Sequence, residues 1–156
     1  MSFTIYSTIS LIAIIYCTVR PKILNTLELT MIFLVVMYID SNVMDLVMLN
    51  LDRIVLGKTG SDRFTFYLSF IVLYPLIIAC SLDHLRKVQA KLAKALMVLS
   101  AVFLIVGLES GLKYLKVLTY KNWNWSFDLF LWLCIYMITY FLHSLFRKLV
   151  LKELNH

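Results

Sequence analysis

Three carboxylates stand in stretches of this chain that are otherwise too apolar to hold them. Asp40 and Asp45 lie in one long hydrophobic run and Glu109 in another. An aspartate near the centre of a membrane helix costs about 2.5–3.5 kcal/mol to insert, so a carboxylate kept there usually faces a bundle interior, water or a partner. The chemistry open to such a group is carrying a proton, donating a hydrogen bond as the neutral acid, or acting as a general acid. Helical spacing separates the two aspartates. Asn42, Asp45, Leu49 and Asp52 share one stripe, whereas Asp40 lies about 140° round from Asp45, on a face with Val36, Met37 and Met44. Asp40 is the deeper of the two.

Glu109 has two readings. Lys113 follows it by four residues, in the order that favours an intrahelical ion pair, with Lys116 close behind. On that reading the glutamate is structural; on the other it is a functional polar position, with Lys113 snorkelling outward either way. Gly107 and Gly111 bracket Glu109 in a Gly-x-x-x-Gly pattern, which predicts close approach of a helix from this chain or another on the opposite face.

The remaining reactive side chains point to less. His84 beside Asp83, His143 and the terminal His156 lack metal-ligand spacing, and His84 and His143 read as interfacial residues rather than catalytic bases. Cys17, Cys80 and Cys134 each fall in a different apolar run. With no C-x-x-C and an odd count, they read as packing residues in preference to reactive thiols. No metal site and no cofactor are expected. Phosphate loops, dinucleotide fingerprints, nucleophile elbows, zinc-protease motifs and voltage-sensor arginines are all missing from the sequence.

These residues must be positioned by membrane-spanning helices. Of the 156 residues, 62% are hydrophobic and 15% charged, with a mean hydropathy of +0.86, far from a soluble composition. Five runs are long enough to cross a bilayer, at about 3–19, 29–50, 64–82, 95–117 and 127–146. The expected fold is an all-α polytopic bundle of about five helices in one membrane domain. The carboxylates and lysines leave the second and fourth runs open to being shorter, tilted or re-entrant. Pro21 ends the first run, and Gly57 to Asp62 separate the second from the third, with Ser61 or Asp62 as the expected N-cap. Pro75 should kink the third.

The net charge of +6 does not indicate nucleic acid, because the cations are scattered between apolar runs instead of forming a basic face. Anionic membrane lipid is the expected partner, with self-association or another membrane protein as further possibilities. Nine Lys and Arg fall in the first loop, third loop and tail (Arg20, Lys22, Arg86, Lys87, Lys91, Lys94, Arg147, Lys148, Lys152) against six in the other loops. The positive-inside rule then places the N-terminus outside and the C-terminus in the cytoplasm. Those first cations follow the first run instead of preceding it, the reverse of a secretory signal, and neither Ser2 nor the C-terminal residues suggest a lipid anchor. Tyr120, Trp123 and Trp125, just before the last run, read as an interfacial anchor. The five runs show no internal repeat.

Three stretches carry a resemblance: Phe64-Thr65-Phe66-Tyr67 through Tyr74-Pro75, Glu109 within an apolar helix, and Tyr120-Lys121-Asn122-Trp123-Asn124-Trp125 leading into the last run. Covering about half the chain, they resemble a group of small multi-pass membrane proteins, without an assigned activity, common in spore-forming Gram-positive bacteria. The resemblance implies a bacterial cell membrane and a bundle of four to six helices. It also implies Glu109, Tyr120 and Trp123 as positions where the family uses the same residue types, and does not extend to Asp40. The leading functional reading is a non-enzymatic bundle that moves a small solute or proton or assembles with another membrane protein, with Asp40 and Glu109 inside. The alternative is a small membrane enzyme acting on a lipid or isoprenoid through these carboxylates.

Overall fold

The structure, a computed structural model, describes residues 1–121 and 123–154. Five helices are each long and apolar enough to cross a membrane: α1 (Ser2–Val19), α2 (Thr26–Asn50), α3 (Gly60–Lys87), α4 (Lys91–Tyr114) and α5 (Trp125–Leu154). Both doubtful runs are continuous helices. Pairing of α2 with α3, α3 with α4, α4 with α5 and α5 with α2 makes a ring of four, and α1 lies outside it against α3. Accordingly α3 is the most buried span and α1, where only Tyr6 and Ser10 are buried, the least.

Local chemistry explains most of the boundaries. Asn25 begins α2 with a capping box: its side chain accepts from the first-turn backbone, and Glu28 Oε2 accepts the Asn25 N–H at 2.9 Å. The N-cap of α3 is Thr59, two residues before Ser61 and three before Asp62, the expected caps. Its Oγ1 accepts from Asp62 N, while Asp62 turns its own carboxylate back onto the Thr59 hydroxyl. That carboxylate also requires Gly57, where a Cβ would stand 2.7 Å from Asp62 Oδ2.

Pro75 does not act alone. A single π-helical turn, Ser69–Leu73, precedes it, with Tyr74 N–H reaching Ser69 O and Ser69 Oγ bonding back to Thr65 O at 2.9 Å. The wide turn shifts the hydrogen-bond register ahead of the residue that lacks an N–H. A second π turn, Leu46–Asn50, ends α2. The chain leaves α2 through Asp52 and α4 through Lys116, both non-glycine residues with left-handed φ, of 47° and 58°. After Lys116, Val117 N–H returns to Leu112 O at 2.9 Å, satisfying a terminal carbonyl of α4.

Two short strands, absent from the all-α expectation, then pair antiparallel: β1 (Ile54–Leu56) with β2 (Leu118–Tyr120), Ile54 opposite Tyr120 and Leu56 opposite Leu118. Ile54, Val117 and Leu118 are buried, so the ribbon closes one end of the bundle. Three residues per strand are too few for alternation to register in the sequence. The opposite end carries the nine cations counted above and is here the basic end.

Candidate functional site

The inner face of α2 is the row Glu28, Ile32, Val36, Asp40 and Met44, one residue every four, all buried. This places Asp40 at 0% exposure, and among the described residues neither of its carboxylate oxygens has a hydrogen-bond partner. Asp45 is exposed on the outer face, as is Asn42, whose amide bonds back to Tyr38 O. Of the two aspartates only Asp40 belongs to the interior.

Glu109 belongs to the buried face of α4, with Val102, Ile105, Val106 and Leu112. The intrahelical pair with Lys113 does not form. Lys113 is exposed, and its Nζ sits 4.8 Å over the Tyr120 ring instead. At the end of a membrane helix the ammonium stays at the wet interface, whereas the buried row carries Glu109 inward.

Other polar groups join these carboxylates from α1, α3, α5 and the ribbon. Tyr74, 1% exposed and packed edge-on against Trp132 at 5.0 Å, lies within electrostatic reach of Asp40, Glu109, Tyr6 and Tyr120. Glu109 is likewise coupled to Asp40 and to the buried Asp128. Tyr74 OH, Tyr120 OH, Trp132 Nε1 and Glu109 Oε2 are buried without a hydrogen-bond partner among the described residues. The Trp132 indole lies beside Glu109, and the Tyr120 phenol beside Asp128, both short of hydrogen-bond geometry. Burial first, then the charges of Glu109 and Asp128, push the Tyr120 phenol well above its ordinary range, so it keeps its proton. Several donors and acceptors thus face one another unspent, in a region where unpaired groups are costly. Among the described residues no three His, Cys, Asp or Glu are grouped to share a metal ion.

The aromatic anchor divides. Trp125, 64% exposed, faces outward as an interfacial residue should. Trp123 is half-buried and donates its indole N–H to Asp128, and Tyr120 points inward. The glycines divide as well. A Cβ on Gly111 would stand 2.6 Å from the hydroxyl of Tyr6, which itself donates to Leu108 O at 2.5 Å, so Gly111 makes room for α1 of the same chain. Gly107 has no described atom within 4 Å of that position and seats nothing.

A second buried polar group, missed from the sequence, ties α2, α3 and α5 together toward the basic end. Glu28 Oε1 lies 3.3 Å from His143 Nε2 and 3.6 Å from the Arg147 guanidinium, while Arg86 stands 3.3 Å from His143 Nδ1. His143 is therefore a buried member of a charge network at 1% exposure, and not interfacial. The Asn25-x-x-Glu28 capping box was the available signal for Glu28. Nearby, Asp83 Oδ1 accepts the N–H groups of Ile23 and Leu24 at 2.7 and 3.1 Å, and Lys87 adds an ion pair to Oδ2 at 3.1 Å. The cysteines also depart from the packing reading: Cys17 of α1 and Cys80 of α3 form a disulfide, with Cα atoms 6.5 Å apart, and only Cys134 is free. His84 is half-exposed, beside that disulfide, and His156 lies outside the described residues.

The chain matches no family model, no curated protein sequence and no solved structure. Its class follows from the fold itself. It is a polytopic membrane bundle of five helices, with a carboxylate and tyrosine cluster inside the ring near the ribbon-capped end.

Proposed function

We propose that this protein is a non-enzymatic bundle of the bacterial cell membrane that moves a proton or a small solute coupled to one, with Asp40 and Glu109 as the groups that take up and release it. The observation that carries the reading is Asp40, fully buried in a spanning helix with neither oxygen partnered among the described residues. An ionised carboxylate left so is among the costliest states in a membrane interior, and a proton is the smallest partner that relieves it. Glu109, Asp128, Tyr74 and Tyr120 extend the same cluster toward the ribbon end, each within electrostatic reach of another member. Because these groups point into the bundle, movement through it is favoured over assembly on its outer surface. The charge asymmetry supports an outside N-terminus, which sets the ribbon end outside and the basic end in the cytoplasm, against anionic lipid.

The lipid-enzyme alternative gains less support, since the two grooves beside α1, described below, are lined by neither Asp40 nor Glu109. The test is proton flux into liposomes containing the purified protein and a trapped pH dye, under an imposed potential. Asp40→Asn and Glu109→Gln should each lower the flux at least roughly tenfold while the protein elutes as a folded species. Parent-like flux in both variants would sink the proposal.

A further inference from the structure

Helix α1 packs on α3 from outside the ring and leaves a groove on each side of itself. The larger, about 610 Å³, runs between α1, α3 and α4 and is walled by apolar side chains such as Ile12, Leu104 and Leu108. The smaller, about 200 Å³, lies toward α2. Cys17 and Cys80 line both, so the disulfide is the partition between them and is only half-buried.

Hydrogen-bonding groups gather within one helical turn of that disulfide. Tyr16 adjoins Cys17, Arg20 follows three residues on, and His84 lies four residues after Cys80. Arg20 donates to the Tyr16 hydroxyl at 2.5 Å, and His84 Nε2 is 3.3 Å from the same hydroxyl. His84 Nδ1 faces two partners, the Cys80 carbonyl at 2.6 Å and the Arg20 guanidinium at 3.0 Å. As an N–H it donates to the carbonyl; as a bare nitrogen it accepts from the arginine. The imidazole thus has a use for either tautomer, as a proton relay needs.

We propose that Cys17 and Cys80 are a redox-active pair, and that their electron partner is a lipid-phase quinone seated in the larger groove. The groove has the size and apolar walls that an alkyl-substituted quinone requires, and its open side faces lipid. In the forward step the two S–H bonds break, one S–S bond forms, and two electrons and two protons pass to the quinone, giving its hydroquinone. The positive charge of Arg20, one helical turn from Cys17, favours the thiolate over the thiol as the form that gives up its electrons. Tyr16 and His84 stand where protons leaving sulfur can be passed to the quinone oxygens. In the orientation proposed above this end faces the cytoplasm, where thiols are kept reduced; a disulfide there must be re-formed, and the groove admits the oxidant from lipid. The pair is a separate site from Asp40 and Glu109, which lie toward the ribbon end.

The experiment uses Cys134→Ser protein in detergent micelles, reduced, desalted without oxygen and mixed with decylubiquinone, whose fully substituted ring cannot add thiols. The expected result is one quinone reduced per chain, loss of both alkylatable thiols, and a Cys17–Cys80 cross-linked peptide by mass spectrometry. Cys17→Ser and Cys80→Ser should abolish the reaction. Leu104→Trp, which fills the groove without touching sulfur chemistry, should slow it roughly tenfold, while the water-soluble oxidant diamide still closes the pair at the parent rate. Closure by diamide but not by decylubiquinone would overturn the quinone assignment. Equal quinone rates in parent and Leu104→Trp would overturn the groove. Failure of both oxidants to close the pair would overturn the redox assignment itself.

Discussion

Two buried aspartates in this bundle should respond to substitution with opposite signs. Asp83 Oδ1 accepts two backbone N–H groups from the segment joining α1 to α2, and Oδ2 pairs with Lys87. Asp83→Ala strands those N–H groups, that of the buried Leu24 most severely, and each unsatisfied donor costs about 1–3 kcal/mol. Lys87 is partly exposed and retains Pro21 O, so its share is small. The variant should lose roughly 3 kcal/mol. Asp40 has two buried oxygens and no partner among the described residues, so Asp40→Val removes a desolvation cost of about 1–3 kcal/mol and adds a mild overpacking cost. It should gain about 1 kcal/mol while losing flux, the signature of a polar group kept for function. Reversible unfolding with dodecyl sulfate in mixed micelles, followed by tryptophan fluorescence, reads both. An Asp83→Ala midpoint equal to that of the parent, or an Asp40→Val midpoint below it, would refute the assignment of cost to unpartnered oxygens.

The two glycines of α4 should also part company. Gly111→Ala must displace the Tyr6 hydroxyl from Leu108 O and should lower thermal stability by about 1–2 kcal/mol after the gain in helix propensity, whereas Gly107→Ala meets open space and should gain about 0.5–1 kcal/mol. Melting of the detergent-solubilised protein, scored by monodisperse elution, separates them, and equal shifts would contradict the packing. Glu28→Gln leaves Arg147, Arg86 and His143 without their carboxylate and should cost roughly 2–3 kcal/mol, part of it recovered in the double variant with Arg147→Gln. No recovery in that double-mutant cycle would show that the charges are not coupled.

Five spans were legible in the sequence because crossing a bilayer is a one-dimensional requirement, met by about 20 apolar residues in a row whatever they pack against. The separation of Asp40 from Asp45 was legible for a similar reason, since helical period alone assigns them to different faces; which face turns inward was not, because the outer one carries Leu34, Leu46 and Leu49 as well. Local capping around Asn25 and Glu28 could have been read, because it involves residues three apart.

What sequence reasoning could not reach depends on residues far apart in the chain. Lys113 pairs with the Tyr120 ring and leaves Glu109 to a cluster drawn from five other segments, although the favourable four-residue spacing pointed to a local pair. Cys17 meets Cys80 across 63 positions, Glu28 meets His143, and β1 meets β2 around two intervening spans. The apolar pattern determined by itself that the chain is a set of membrane helices. Only the tertiary structure decided which polar groups face one another, because in lipid every span is equally apolar and helices choose their neighbours by shape and by the few polar atoms that need a partner.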